Sequence, residues 1–487
     1  MPVTWRISQR AKMAVILKNF FRMTASTLVT NNVQIFTKRS IKSATSDVQI
    51  ISTEVIKPSS PTPKHLRTYK LSLLDQLFSK IYVPLVFFYS ANCKHQYFSK
   101  KSDLLKQSLA KTLTHYYPFA GRLIDSFSVD CSDHGAAFIE ANVGCDISKF
   151  LQPPDMELLQ QLIPPSPQLS NLDISERELL AVQVNLFSGG EMAIGVCFSH
   201  GVADGSAIFN FMKTWGEITR GVINDNDNIC NNNVVLDCTS LFPPVNFPRP
   251  YQIVTSPQSS GNIVFKRLLF DSKKIAALKE KVNKEIGKFN ELQATRFGVV
   301  SALIWGAFIA IARERKRAID NKLYSHAIYY TMNLRNKLNP PMIPQCMGNI
   351  YRLVRAEWSL AEDDAIEETS LLREVIKAKR MGREVMHNNE YLGFIKDMKE
   401  TWEDSRSFGL TSVVGLPCYE VDFGWGKPVW FSVGPLLLID LAILTSTSDG
   451  EGIEALIVMF KEDMDKFEQE PSIMAYASSN PSIFIGK

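Results

Sequence analysis

The chain has 487 residues, more than one ordinary hydrophobic core organises, since single cores stop growing beyond about 250–300 residues; two domains are therefore expected. Hydrophobic residues at 45% and charged residues at 21% exclude a disordered or fibrous chain. The formal charge of +4 is local: residues 1–46 hold eight Lys or Arg and no acid, leaving 46 basic against 50 acidic side chains elsewhere, which removes the electrostatic basis for binding nucleic acid.

In chain order, the first 46 residues are rich in Ser and Thr, and residues 13–22 have the make-up of a basic amphipathic helix. Such a composition suits an organelle transit peptide, a disordered extension, or a stretch upstream of the start that the working protein uses. The fold is expected to begin near Asp47, and the location to be cytoplasmic, or an organelle if residues 1–46 act as a transit peptide. From residue 47 to about 220, strand-like runs at Val48–Ile56 and Met192–Ser199 alternate with helical stretches at 103–115 and 206–220, the pattern of an α/β domain. Residues 221–262 are rich in Asn and Pro and suggest a linker or long crossover. A second domain, 263–487, opens with a strand at Ile263–Phe270, a charged helix at 272–288 and an apolar helix at 295–313, and ends rich in strands. The apolar runs 81–89 and 435–444, the second broken by Asp440, are roughly half the ~20 residues that a membrane-spanning helix needs.

The eight cysteines show no CxxC spacing and no clustering with histidine, so no metal site or disulfide framework is expected and free thiols are. A GxSxG elbow, a Walker loop and a GxGxxG fingerprint are all absent, and Cys197 falls inside an apolar run. Covalent-nucleophile, nucleotide-driven and dinucleotide redox chemistry therefore lack support.

His200, in Ser199-His200-Gly201-Val202-Ala203-Asp204-Gly205, falls between a buried strand and a helix in which Ile208, Phe211, Met212, Trp215 and Ile218 recur at helical spacing. Such a turn presents an imidazole at the mouth of a pocket, and an imidazole with its ordinary pKa near 6.5 accepts and returns a proton near neutral pH. Gly201 and Gly205 would let the backbone turn sharply. These residues also fit a hydrogen-bonded core histidine with Asp204 capping the next helix. Far along the chain, Asp422-Phe423-Gly424-Trp425-Gly426-Lys427-Pro428 has the chemistry of a tight loop: two glycines for positive φ and an Asp able to fold onto nearby amides. Alone, it would be an ordinary turn carrying a packed tryptophan.

Together, HxxxDG and DFGWG resemble the plant BAHD acyltransferases, and the resemblance extends over residues 47–487. It includes Leu71-Ser72-Leu73-Leu74-Asp75, Tyr117-Pro118-Phe119-Ala120-Gly121-Arg122-Leu123, and Asn333-Leu334-Arg335 with Met347-Gly348-Asn349. Within the family the chain is most similar to the branch of alkaloid and terpenoid alcohol acetyltransferases that contains vinorine synthase. The resemblance implies an α/β fold of two similar-sized domains, each a mixed sheet flanked by helices, chloramphenicol acetyltransferase-like, with a channel between them. It also implies a monomer with acyl-CoA, here acetyl-CoA, as co-substrate and a small alcohol as acceptor.

By the same resemblance His200 is the base that takes the acceptor's hydroxyl proton. Asp204 holds the turn by pairing with an arginine, for which Arg296 is the matching residue, and Thr411 stands near the reacting carbonyl as oxyanion support. Asp422 is counted with the catalytic residues while its loop, with Gly424, Trp425 and Gly426, is structural. Arg335 is a contact for the phosphates of CoA, a structural contact, or a partner in a surface salt bridge. Val413 and Met347 depart from the family pattern and bear on acceptor choice. A condensation-type enzyme that takes its acyl group from a carrier protein, and a non-catalytic relative, remain as alternatives.

Overall fold

A computed structural model describes residues 47–485 apart from 79–80, 92–97, 223–237, 247–261, 287–293, 318–324, 339–340, 342–345, 360–365, 383–389, 391–392, 395, 398–405 and 437. Residues 1–46 and most of the expected linker lie outside the described residues.

Two mixed sheets organise the chain. The first has the order Val48–Ile56, Ala136–Val143, Leu180–Phe187, Met192–Ser199, Tyr82–Tyr89, Trp430–Val433; only its second and third strands run parallel. The second has the order Tyr351–Ser359, Ser325–Asn333, Arg406–Ser412, Leu441–Ser446, Ile453–Phe460, Ile263–Phe270, Ser478–Ser479, with parallel pairs on both sides of Arg406–Ser412. The apolar run Met192–Ser199 is buried on both faces, as an unalternating run near the middle of a covered sheet should be. Helix Arg296–Arg317 is apolar enough over Arg296–Glu314 to satisfy the length and composition of a membrane span, yet 78% of that window is buried in the core of the second sheet.

The linker does not separate the two sheets cleanly. Trp430–Val433 comes from the second half of the chain but completes the first sheet, pairing antiparallel with Tyr82–Tyr89. Cys418, Val421, Phe423, Trp425 and Phe431 also join the first core. The boundary expected at 221–262 therefore describes chain order and not core membership. Trp430 carries the connection further: its indole Nε1 donates to Glu454 Oε2 at 3.0 Å, and Glu454 forms a buried, two-pronged ion pair with Arg267, both bonds 2.7 Å. All six described cysteines are free thiols.

The helix expected at 206–220 spans Gly205–Thr219, and its apolar positions are buried as the spacing requires. It is not amphipathic in its setting. Nearly every residue is enclosed, because the 418–425 segment covers the face that a first-half domain alone would leave to water.

Candidate active site

His200 follows the strand Met192–Ser199, and its amide donates to the Ile81 carbonyl at 2.8 Å, continuing the Ser199–Tyr82 pairing. Its ring stacks on Phe78, with centroids 5.0 Å apart and planes 27° from parallel, and lies 6.1 Å from the Tyr351 ring. The residue is half-buried with Nδ1 enclosed, which leaves Nε2 as the reachable nitrogen. Burial lowers the pKa of the ring below its usual 6.5, while a contact with its own backbone carbonyl, the charge of Asp204 and the amide of Asn349 pull the other way. A base must be neutral to accept a proton. For activity that depends on His200, kcat/KM is therefore expected to hold near neutral pH and to fall as pH drops through a midpoint below 6.5. A midpoint clearly above 6.5 in a pH–rate profile would contradict this.

Asp204 performs both jobs weighed from the sequence. Oδ1 accepts from the Ala207 amide at 3.0 Å and caps the helix; Oδ2 accepts from Arg335 Nη1 at 2.7 Å and from the Ile350 amide at 3.0 Å. The expected pair with Arg296 is not made. Arg296 instead donates to the carbonyls of Gly450 and Glu451, at the hairpin between two strands of the second sheet. Arg335 takes its place, which bears out the structural contact among its expected roles and leaves neither the contact with the phosphates of CoA nor the surface salt bridge. Its side chain is 1% exposed, and its remaining bonds go to the carbonyls of Cys346 (2.8 Å) and Gly348 (3.2 Å), so no phosphate can reach it. Gly201 and Gly205 are not left-handed either; the left-handed glycine at this junction is Gly348, with φ 91°, bridged to Ala203 across the turn.

Thr411 lies on Arg406–Ser412 with its hydroxyl 3.3 Å from that of Thr331. Two residues further on, Val413 abuts the HxxxDG turn: a Cβ at Gly205 would stand 3.2 Å from Val413 Cγ1. The second sheet thus delivers the 411–413 segment to the start of the helix that follows His200. Val413 is partly buried there, whereas Met347 is fully buried in the first core, so of the two departures only Val413 borders accessible space.

Asp422 is at the other end of the same helix. Its Oδ1 accepts from the Gly424 and Gly426 amides at 2.8 and 3.1 Å, both glycines have φ near 105°, and its carbonyl accepts from Arg220 Nη1 at 2.6 Å. Arg220 is sixteen residues beyond Asp204, roughly 24 Å along a helix. Gly216 is required because a Cβ there would come 2.5 Å from the Asp422 carbonyl, and Phe423 packs edge-on against Trp215 at 4.8 Å. The loop is a buttress, and a catalytic role for Asp422 has no geometric basis. Asp422→Ala should lower stability by about 1–3 kcal/mol, seen as a reduced Tm, and leave kcat of the folded protein unchanged. A hundredfold loss of kcat at unchanged Tm would restore the catalytic assignment.

Sequence reasoning quoted Asp75 and Asn349 without giving them a role, yet both reach the His200 turn. Asn349 Nδ2 donates to the His200 carbonyl at 2.6 Å and to Asp75 Oδ1 at 2.9 Å.

Comparison with known proteins agrees with this geometry. The model of the Transferase family matches residues 46–474. Limonoid 1-O-acetyltransferase from Citrus sinensis is 39% identical over 457 residues, covering 90% of this chain and all of that protein. The crystal structure of vinorine synthase, 31% identical, superposes with a TM-score of 0.74 over 89% of this chain and 99% of that one. The fold is also that of F. sporotrichioides TRI101 complexed with coenzyme A and T-2, at 16% identity and a TM-score of 0.66, covering 85% of this chain and 99% of that one. A turn that sets an imidazole against the second sheet, and a family match that spans both sheets, identify the chain as a member of this Transferase family, the BAHD acyltransferases.

Proposed function

We propose that the protein transfers an acetyl group from acetyl-CoA to a hydroxyl of a terpenoid alcohol of the limonoid class. The observation that carries the reading is the end-to-end similarity to a limonoid O-acetyltransferase at 39% identity, against 34% for vinorine synthase, combined with a half-buried histidine whose Nδ1 is enclosed and whose Nε2 is left to meet the acceptor. His200 Nε2 takes the hydroxyl proton as the acceptor oxygen attacks the thioester carbonyl. The C–S bond then breaks, and the CoA thiolate leaves with the proton returned by His200. Thr411 is the side chain suited to donate to the oxyanion, at the cost of its present contact with Thr331.

With Arg335 engaged by Asp204, the phosphates of CoA need other cations. An open hollow of about 680 Å³ is lined by Lys279, Glu280 and Lys284 of the helix Ser272–Ile286, by Arg296, and by Glu451 at the tip of the hairpin joining Leu441–Ser446 to Ile453–Phe460. Leu441–Ser446 pairs with the strand bearing Thr411, so one hairpin connects the hollow to the reacting centre. The Lys279→Ala, Lys284→Ala double variant is expected to raise KM for acetyl-CoA about three- to tenfold at low ionic strength, with kcat retained. An unchanged KM would remove the hollow from the donor path.

The function is tested by incubating the protein with acetyl-CoA and separate panels of limonoid and indole-alkaloid alcohols, following CoA release and product mass. Acetylation within the limonoid panel is expected. Turnover confined to the alkaloids, or confined to malonyl- or benzoyl-CoA as donor, would overturn the acceptor or donor assignment respectively.

A further inference from the structure

Most of the linker expected at 221–262 lies outside the described residues, but 238–246 does not, and it is fastened to the short helix Leu73–Phe78. The Leu73 amide, at the start of that helix, donates to the Phe242 carbonyl at 2.9 Å. Gln76 and Val245 exchange two bonds in the manner of paired strands. The Val245 amide donates to Gln76 Oε1 at 2.9 Å, and Gln76 Nε2 donates to the Val245 carbonyl at 3.2 Å. Nε2 also donates to the Ser126 carbonyl at 3.0 Å. One N–H and two carbonyls face this side-chain amide, so a single orientation satisfies it. Gln76 is 5% exposed, and loss of these bonds would leave buried polar groups unpaired.

Beside these bonds the linker inserts Cys238 and Phe242 into a small core that also takes Leu73 and Leu77 from the helix and Ile350 and Tyr351 from the second half of the chain. A helix of six residues is too short to hold its own place in water, so its position is set by what fastens it. Its last residue, Phe78, stacks on the His200 ring and lies 5.3 Å from the Tyr351 ring, with Leu353 packed against the same core. Tyr351 and Leu353 belong to the edge strand of the second sheet, whereas the cationic hollow borders the hairpin that follows Leu441–Ser446; the strand bearing Thr411 runs between them. The Phe78–Tyr351 side is therefore apolar and lies across the reacting centre from the hollow. It suits the hydrocarbon of an acceptor and not the phosphates of the donor.

We propose that residues 238–245 form a clasp on the helix Leu73–Phe78, and that Gln76 and Phe242 are positioning residues for acceptor binding: by fixing the helix they fix the Phe78–Tyr351 wall against which the acceptor's hydrocarbon rests. The clasp deepens the acetyl-transfer reading and rests on it for the identity of what meets the wall. Both residues act through Phe78. A stretch that joins the two halves of the chain thereby bears on which alcohols fit.

The test uses the full chain carrying Gln76→Met, which keeps the side-chain length and removes its bonds, or Phe242→Ala. Without substrates, hydrogen exchange across residues 73–78, followed by mass spectrometry, should quicken about tenfold in both, while exchange across Gly205–Thr219 stays parental. In steady state, KM for the acceptor alcohol should rise about tenfold and the ranking of the alcohols should broaden, with KM for acetyl-CoA within about twofold of the parent. Phe242→Leu, which still fills the core, should return parental values. Should Gln76→Met or Phe242→Ala not fold, Val245→Pro, which deletes the N–H that Gln76 Oε1 accepts, must produce the same two changes. Parental exchange at residues 73–78 in the folded variants overturns the clasp. Quickened exchange with a parental acceptor KM, or with both KM values raised alike, overturns the role in acceptor binding, because the contacts would then be scaffold alone. Exchange is read without turnover, so a parent that acetylates no alcohol defeats the acetyl-transfer reading and leaves the clasp to be judged by exchange.

Discussion

Replacing His200 by alanine is expected to lower kcat for acetyl transfer by about 10²–10⁴-fold, the range that general acid–base catalysis contributes. The loss should fall on kcat, since His200 contributes little to the hold on acyl-CoA and acts in the proton transfer. Its ring is backed by Phe78, Asp204 and Arg335 bond to each other, and Asn349 bonds to Asp75 and to the His200 carbonyl, which alanine keeps, so the variant should remain folded. Steady-state rates with a limonoid alcohol and a thermal melt together decide this. A His200→Ala protein with a parental melt and parental kcat would end the assignment of His200 as the base.

The second large effect concerns the ion pair behind the turn. Asp204→Ala leaves Arg335 charged, 1% exposed and without its anion, and removes the helix cap and the bond to the Ile350 amide at the same time. Breaking a buried pair from one side costs about 3–5 kcal/mol. Arg335→Ala should cost a similar amount by stranding Asp204. The double variant should be more stable than the sum of the singles implies, since neither charge is then left alone. Chemical denaturation of the three proteins measures this. Strict additivity would show that the two side chains do not act as a unit.

Local chemistry explains what could be read in advance. The apolar run ending at Ser199, the Asp at the helix start and the helical spacing of Ile208, Phe211 and Trp215 are all short-range signals, and they placed the His200 turn within one residue. The glycines at 424 and 426 announced a loop that the structure builds with left-handed glycines and an Asp bonded to their amides. Long-range pairings carried no such signal. Arg335 is 131 residues from Asp204, and nothing in Asn333-Leu334-Arg335 distinguishes a buried guanidinium from a surface one. Asp75 is 274 residues from Asn349 and occupied a segment with no recognisable chemistry of its own. The four-residue strand Trp430–Val433 was too short to reveal which sheet it joins.

That short strand limits how this protein can be recombined with its relatives. A chimera joined within residues 221–262 looks modular, because the junction falls between two sheets. Yet it would take from the C-terminal parent the last strand of the N-terminal sheet, the buttress beneath the His200 helix and the Trp430–Glu454 bond. Exchanging C-terminal halves to alter substrate choice would therefore also exchange part of the foundation of the base. Compatible parents are those that match along residues 418–433 as well as at the pocket.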